Sequence, residues 1–151
     1  MYHHKKKYIT GGRAIELANS VLVMLHGRGG DASQMLSLAD ELHIQGMTVI
    51  APQAYQNSWY PHSFMAPDSY NQPALDSALK MVGEVIDDIL SAGISAERIY
   101  ILGFSQGACL TLEYLSRNAR RYGGAVAFTG GLIGEELKLG QYHGDFEGTP
   151  L

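Results

Sequence analysis

Cysteine is nearly absent: Cys109 is the single one in 151 residues. It cannot close an internal disulfide, so nothing asks for an oxidising compartment. Long apolar stretches are missing too. The uninterrupted run at residues 21–25 is far short of the roughly 20 residues a membrane-spanning helix needs, so no stable membrane insertion is expected. The N-terminus carries charge, but no apolar segment follows it as in a secretory signal. Neither sign of charge dominates. Eleven Lys and Arg against 15 Asp and Glu give a net charge of −4, which removes any global electrostatic case for nucleic acid. The one basic run, Lys5-Lys6-Lys7, reads as solvated lysines on an early strand. No His, Asp or Glu cluster has metal-ligand spacing, so no metal is expected. Disorder is excluded as well, because hydrophobic residues make up 46% and charged residues 17%. These absences leave a cytoplasmic globular protein as the expectation.

Glycine is the excess, at 18 residues. The glycines cluster without a period, which argues against a repeat protein. No low-complexity linker divides the chain, and its length suits one domain with a sizeable core. Short apolar runs at residues 20–26, 47–51, 99–104 and 125–128 lack alternation. They suit strands buried on both faces, as in a parallel sheet covered by helices. Helical patterns alternate with them. Asp31 is the expected N-cap of a helix over residues 32–42, with Met35, Leu38, Ala39 and Leu42 inward. Pro73 opens a long helix that Gly93 ends, and a third helix runs over residues 106–119. The pair Gly11-Gly12, between strand-like runs at 5–10 and 13–18, predicts an antiparallel N-terminal hairpin. The order implies an α/β fold with a mostly parallel central sheet and helices on both faces.

The main chemical signal is Gly103-Phe104-Ser105-Gln106-Gly107, which matches G-x-S-x-G, the nucleophile elbow. An apolar strand precedes it and a helical pattern follows, as that sharp turn requires. The turn would expose the Ser105 hydroxyl at a helix N-terminus, where free N–H groups favour developing negative charge. The glycines at 103 and 107 would relieve crowding. A second glycine-rich turn, His26-Gly27-Arg28-Gly29-Gly30, also ends a buried strand and leads into a helix. In an elbow-type hydrolase the loop after such a strand gives one oxyanion donor and the residue after the nucleophile gives the other. These would be the backbone N–H groups of Arg28 and Gln106. No phosphate-loop lysine and no G-x-G-x-x-G accompany the turn.

Taken together, residues 23–30, Ala51-Pro52-Gln53-Ala54 and residues 101–108 resemble the phospholipase/carboxylesterase family, a branch of the α/β-hydrolases that includes acyl-protein thioesterases. The resemblance implies an α/β-hydrolase fold and a cofactor-free esterase or thioesterase for small ester or acyl substrates. It implies a Ser-His-Asp triad with Ser105 as nucleophile. His26, Gly27 and Gly29 would support the oxyanion loop, and Trp59 would border the acyl cleft. His62 is expected in solvent, Cys109 as a small buried thiol, and His3-His4 carry no signal.

The triad order in this fold is serine, acid, histidine. After Ser105 the chain offers one aspartate and one histidine, Asp145 and His143, reversed and two apart in a glycine-rich loop, so neither is expected in the triad. Residues 148–151 look like entry into another strand. The expectation is therefore the N-terminal portion of a hydrolase domain over residues 1–151, with the last strands and helix absent. Such a portion alone should be nearly inactive and should leave apolar surface exposed. Two other readings stay open: a hydrolase of another carbonyl, such as a lactone or peptide, and a non-catalytic binding protein that keeps the fold. Oligomeric state is also open, a homodimer included.

Overall fold

A computed structural model describes residues 2–151. Five strands form one sheet: β1 (Tyr8–Gly12), β2 (Ser20–Leu25), β3 (Met47–Pro52), β4 (Ile99–Phe104) and β5 (Gly124–Phe128). Their spatial order is β1-β3-β2-β4-β5. The four strands from β2 to β5 are parallel, and β1 runs antiparallel to β3 at the edge.

The non-alternating runs are buried on both faces. Val21, Val23 and Leu25 of β2, with Ile99 and Ile101 of β4, enter one core cluster. Leu22 and Met24 of β2, with Leu102 of β4, enter the other. The first cluster lies under α3 (Ala74–Ser91) and α4 (Gln106–Arg117), and the second under α1 (Ala32–Glu41). A short helix, α2 (Asp68–Asn71), precedes α3.

Helix boundaries follow local chemistry. The Asp31 carboxylate accepts from Gln34 N at 2.9 Å, and the Gln34 side chain accepts from Asp31 N, forming a capping box. Gly93 stops α3 in the left-handed region, at φ 93°. α1 is rotated from the expected stripe. Met35 and Ala39 are buried, but Leu38 and Leu42 stay exposed. Leu36 instead lies over Gly11 of β1, so the helix leans toward the antiparallel edge.

The predicted hairpin does not form. β1 pairs with β3 along its whole length, from Tyr8 opposite Pro52 to Gly12 opposite Thr48. Gly11-Gly12 is thus part of a strand, and residues 13–18 hold a single 3-10 turn (Ile15–Leu17) before β2. The Gly-Gly pair serves close approach instead of a reversal. A Cβ on Gly12 would stand 2.5 Å from the Met47 carbonyl oxygen.

α1 leaves part of its face open. Leu22, Tyr100, Leu102 and Val126 of the sheet, with Leu42 and Ile44, line an apolar hollow of about 750 Å3. Tyr100 and Val126 are 39% and 45% exposed, so the sheet toward β5 presents apolar surface to water. Residues 148–151 form no strand, but the Pro150 carbonyl accepts from Ala125 N of β5 at 2.9 Å. Among the described residues, no helix is long and apolar enough to cross a membrane.

Candidate active site

The sheet order creates the site. From β2 the chain steps to β3 on one side, then crosses to β4 on the other. Such a switch opens a crevice beyond the carboxyl ends of the strands between the two directions. Leu25 at the end of β2 pairs with Gly103 near the end of β4. The loop at 26–30 and the turn at 104–106 therefore leave the sheet side by side.

The turn at Ser105 is sharp and strained. Ser105 has φ 52° and ψ −114°, sits at the N-cap position of α4 and is exposed. Positive φ in a non-glycine residue costs on the order of 1–3 kcal/mol and persists only where the surroundings enforce it. The enforcement is visible. Ser105 N donates to Phe128 O at the end of β5 (2.8 Å), and Cys109 N donates to Ser105 O (3.1 Å). Three glycines permit the approach. A Cβ on Gly103 would overlap the Gly107 carbonyl, and one on Gly107 would overlap the Leu25 carbonyl. A Cβ on Gly27 would lie 3.3 Å from Phe104 O and 3.5 Å from the Ser105 Cβ.

Arg28, Ser105 and Gln106 line one cavity of about 220 Å3, with Tyr60, Ser63, Phe64, Cys109 and Thr129. The larger apolar hollow shares none of these residues and lies away from the elbow. In the glycine loop, Gly29 N donates to Asn57 O (2.7 Å) and Gly30 N to Gly27 O (3.0 Å). Among the described residues the backbone N–H groups of Arg28 and Gln106 have no hydrogen-bond acceptor. The N–H of Gln106 is also the first of α4, so the helix dipole adds to it.

The Gln106 side chain turns the other way. It is buried, its Oε1 accepts from Trp59 N at 2.8 Å, and its Nε2 donates to Tyr60 O at 2.7 Å. It pins the loop at 58–60 over the turn, a role the motif alone did not suggest.

Trp59 does not border the cavity. It is fully buried, and its indole N–H donates to His26 O at 2.7 Å. Tyr60 and Phe64 line the cavity instead. His26 stands behind the glycine-rich loop as a brace. Its Nε2 accepts from Ala54 N (3.1 Å), which leaves the proton on Nδ1 to donate to Gly27 O (2.7 Å). His4, without signal in the sequence, is buried in the same wall. Its Nδ1 accepts from Tyr55 N (3.0 Å) and its Nε2 donates to Trp59 O (2.8 Å). Both imidazoles flank Trp59, with ring centroids 5.6 Å (His4) and 4.9 Å (His26) away.

Burial holds both imidazoles below the ordinary histidine range, against hydrogen bonds to Trp59 and Gly27 that act the other way. The unfolded chain then takes up protons near pH 6.5, where the folded chain still resists them. The unfolded state binds more protons, so stability is full above pH 6.5 and falls as pH drops below it. The limiting slope is about 1.4 kcal/mol per pH unit for each group. Urea titrations followed by fluorescence of Trp59, the sole tryptophan, should give midpoints that fall from pH 7 to pH 5. His4→Gln and His26→Gln should flatten that fall; a profile unchanged by both contradicts the assignment.

His143 and Asp145 lie far from the elbow. His143 O accepts from Ala119 N at 3.0 Å, just past the C-terminal end of α4. Twelve helical residues, about 18 Å, separate that end from Ser105. His62 is exposed. Cys109 is buried, as expected, yet one flank meets the cavity. The sequence also gave no sign of Glu113. It is fully buried, pairs with Arg117 Nε at 2.8 Å and accepts from Ile133 N at 2.9 Å, tying the loop after β5 to α4. Among the described residues no group of three or more His, Cys, Asp or Glu side chains could hold a metal ion.

A mostly parallel sheet with a strained serine between strand and helix is the architecture of the α/β-hydrolase fold. The chain belongs to the phospholipase/carboxylesterase family, whose profile matches residues 13–139. A solved phospholipase/carboxylesterase from Dyadobacter fermentans is similar at 61% identity and a TM-score of 0.97, over 99% of this chain and 72% of that one. A probable SOBER1-like carboxylesterase of Arabidopsis thaliana is 33% identical over 81 residues, 54% of this chain and 31% of the relative. An acyl-protein thioesterase 1 of Eremothecium gossypii is 36% identical over 73 residues, 48% of this chain and 29% of the relative. The matches thus span about a third of the length of these two curated relatives.

Proposed function

We propose that the protein carrying these residues hydrolyses carboxylic esters or thioesters through an acyl-enzyme on Ser105. The observation that carries this reading is the shared cavity, in which an exposed, strained serine meets the loop of Arg28 and the first turn of α4. Names of relatives that are carboxylesterases and acyl-protein thioesterases support the bond type.

In the proposed reaction Ser105 Oγ attacks the carbonyl carbon, and its proton passes to a histidine. Among the described residues no histidine lines the cavity, and His26 has both ring nitrogens engaged, so the base is proposed to lie outside residues 1–151. The carbonyl oxygen becomes an oxyanion and receives the Arg28 and Gln106 N–H groups. Losing one such donor typically costs about 3 kcal/mol of transition-state stabilisation. The alcohol or thiol leaves with the proton, and water releases the acid by the reverse sequence.

The test is stopped-flow hydrolysis of p-nitrophenyl acetate by the complete protein. The reading expects a burst of p-nitrophenol of about one equivalent per protein, followed by slower turnover, when deacylation limits the rate. Absence of turnover on this ester and on short acyl thioesters would overturn it.

A further inference from the structure

Arg28 supplies a backbone donor in the reading above, but its side chain has a geometry of its own. Arg28 lines the cavity that Ser105 also lines, and it is the charged residue among those that do. Among the described residues it makes no ion pair. The carboxylates on neighbouring elements are engaged: Asp31 caps α1, and Glu113 is paired with Arg117. Arg28 is exposed, and its cation meets no carboxylate at the cavity it shares with the proposed nucleophile.

The group is also held in place. Nη1 donates to Pro61 O (2.8 Å) and Ser58 Oγ (3.3 Å), and Nη2 donates to His62 O (2.7 Å). The carbon of the guanidinium stands 6.0 Å from the Tyr60 ring centroid. A guanidinium has five N–H groups. Three are used, all on neutral acceptors, which leaves the Nε–H and one Nη2–H. Nε and Nη2 share one edge of the planar group, the fork that receives a carboxylate through two parallel hydrogen bonds.

From this geometry we infer that the substrate carries a carboxylate a few carbons from the scissile carbonyl, and that the Arg28 side chain selects it. The inference rests on the esterase reading and names its substrate class. One positive charge among neutral walls matches one negative charge; a phosphate monoester brings nearly two and calls for further cations. Arg28 and Ser105 line the same small cavity, which sets the carboxylate a few carbons from the scissile carbonyl. Holding that carboxylate in place orients the carbonyl toward Ser105.

The test compares two esters of equal chain length, monoethyl glutarate and ethyl pentanoate, by acid release in a pH-stat with the complete protein. The expected kcat/KM ratio favours the anionic ester at least tenfold at low salt and shrinks as salt rises. Arg28→Gln should bring the ratio close to one, whatever loss both substrates share through the loop. Arg28→Lys, which keeps the charge but not the fork, should fall between. Free glutarate should inhibit the unmodified protein competitively and the Gln variant far less. A ratio near one in the unmodified protein, or a preference that survives Arg28→Gln, overturns the inference while neutral-ester turnover still stands. No turnover of either ester, nor of p-nitrophenyl acetate, overturns the esterase reading and this inference with it.

Discussion

Ser105→Ala in the complete protein should lower kcat on short esters by about 10,000-fold or more, and leave the unfolding midpoint close to that of the parent. The first expectation follows from removing the atom proposed to form the acyl bond; the proposed oxyanion donors and binding would give only residual acceleration. The second follows from geometry. Ser105 is exposed, and its φ of 52° strains alanine as it strains serine. Ser105→Gly separates the two effects. Glycine adopts positive φ freely, so relief of about 1–3 kcal/mol is partly offset by about 1 kcal/mol of unfolded-chain entropy. The glycine variant should be as inactive as the alanine variant yet more stable, with Tm higher by a few degrees. Thermal melts and ester assays on both variants check the pair. Equal stabilities would mean that the turn stores no strain, and retained activity would remove Ser105 from the reaction.

Gly107→Ala carries a large structural effect at the site. An added Cβ would overlap the Leu25 carbonyl and stand 2.6 Å from the His26 carbonyl, both backbone at the end of β2. Neither can yield as a flexible side-chain tip would. α4 must move off the sheet, or β2 must bend and carry the glycine-rich loop at 26–30 with it. Such overpacking costs typically about 1–3 kcal/mol, and the upper end or beyond is expected where backbone meets backbone. For a chain of this size Tm should fall by roughly 6–12 °C. Activity should drop further than stability explains, because the Arg28 loop and Ser105 shift apart. Gly140→Ala is the control. Nothing lies within 4 Å of a Cβ there, so its Tm should stay within a degree or two. A Gly107→Ala protein with unchanged Tm and activity would contradict the crossing described for β2 and α4.

What the sequence disclosed and what it hid divide along physical lines. The four parallel strands were readable because burial on both faces erases alternation, and the elbow because its glycines and serine sit at fixed spacing between a strand and a helix. Pairing partners were not readable. The Gly-Gly pair signalled a place where backbone comes close, but composition does not distinguish a reversal from the tight pairing of Gly12 against β3. The α1 stripe erred for a related reason. Periodicity marks apolar positions, while the rotation of the helix depends on which strand lies beneath, and β1 drew it toward Leu36.

In the site, the strand-end loops were legible and the wall behind them was not. The family resemblance implies that Trp59 borders the acyl cleft. Its indole N–H instead finds the His26 carbonyl, 33 residues away, and the ring is sealed between two imidazoles. His4 gave no local signal because its partners, Tyr55 and Trp59, are more than fifty residues distant. The second use of Gln106 was hidden likewise: its backbone role belongs to the motif, but its side-chain anchoring of the loop at 58–60 is long-range.

Ser105 and the two residues whose N–H groups are the proposed oxyanion donors, Arg28 and Gln106, line one cavity. The most direct measurement is a crystal structure of the complete protein after reaction with a small fluorophosphonate. Phosphorus should be bonded to Ser105 Oγ, with the phosphoryl oxygen about 2.7–3.1 Å from both Arg28 N and Gln106 N. An adduct on another residue, or a phosphoryl oxygen turned to solvent with those two amides unengaged, would contradict it.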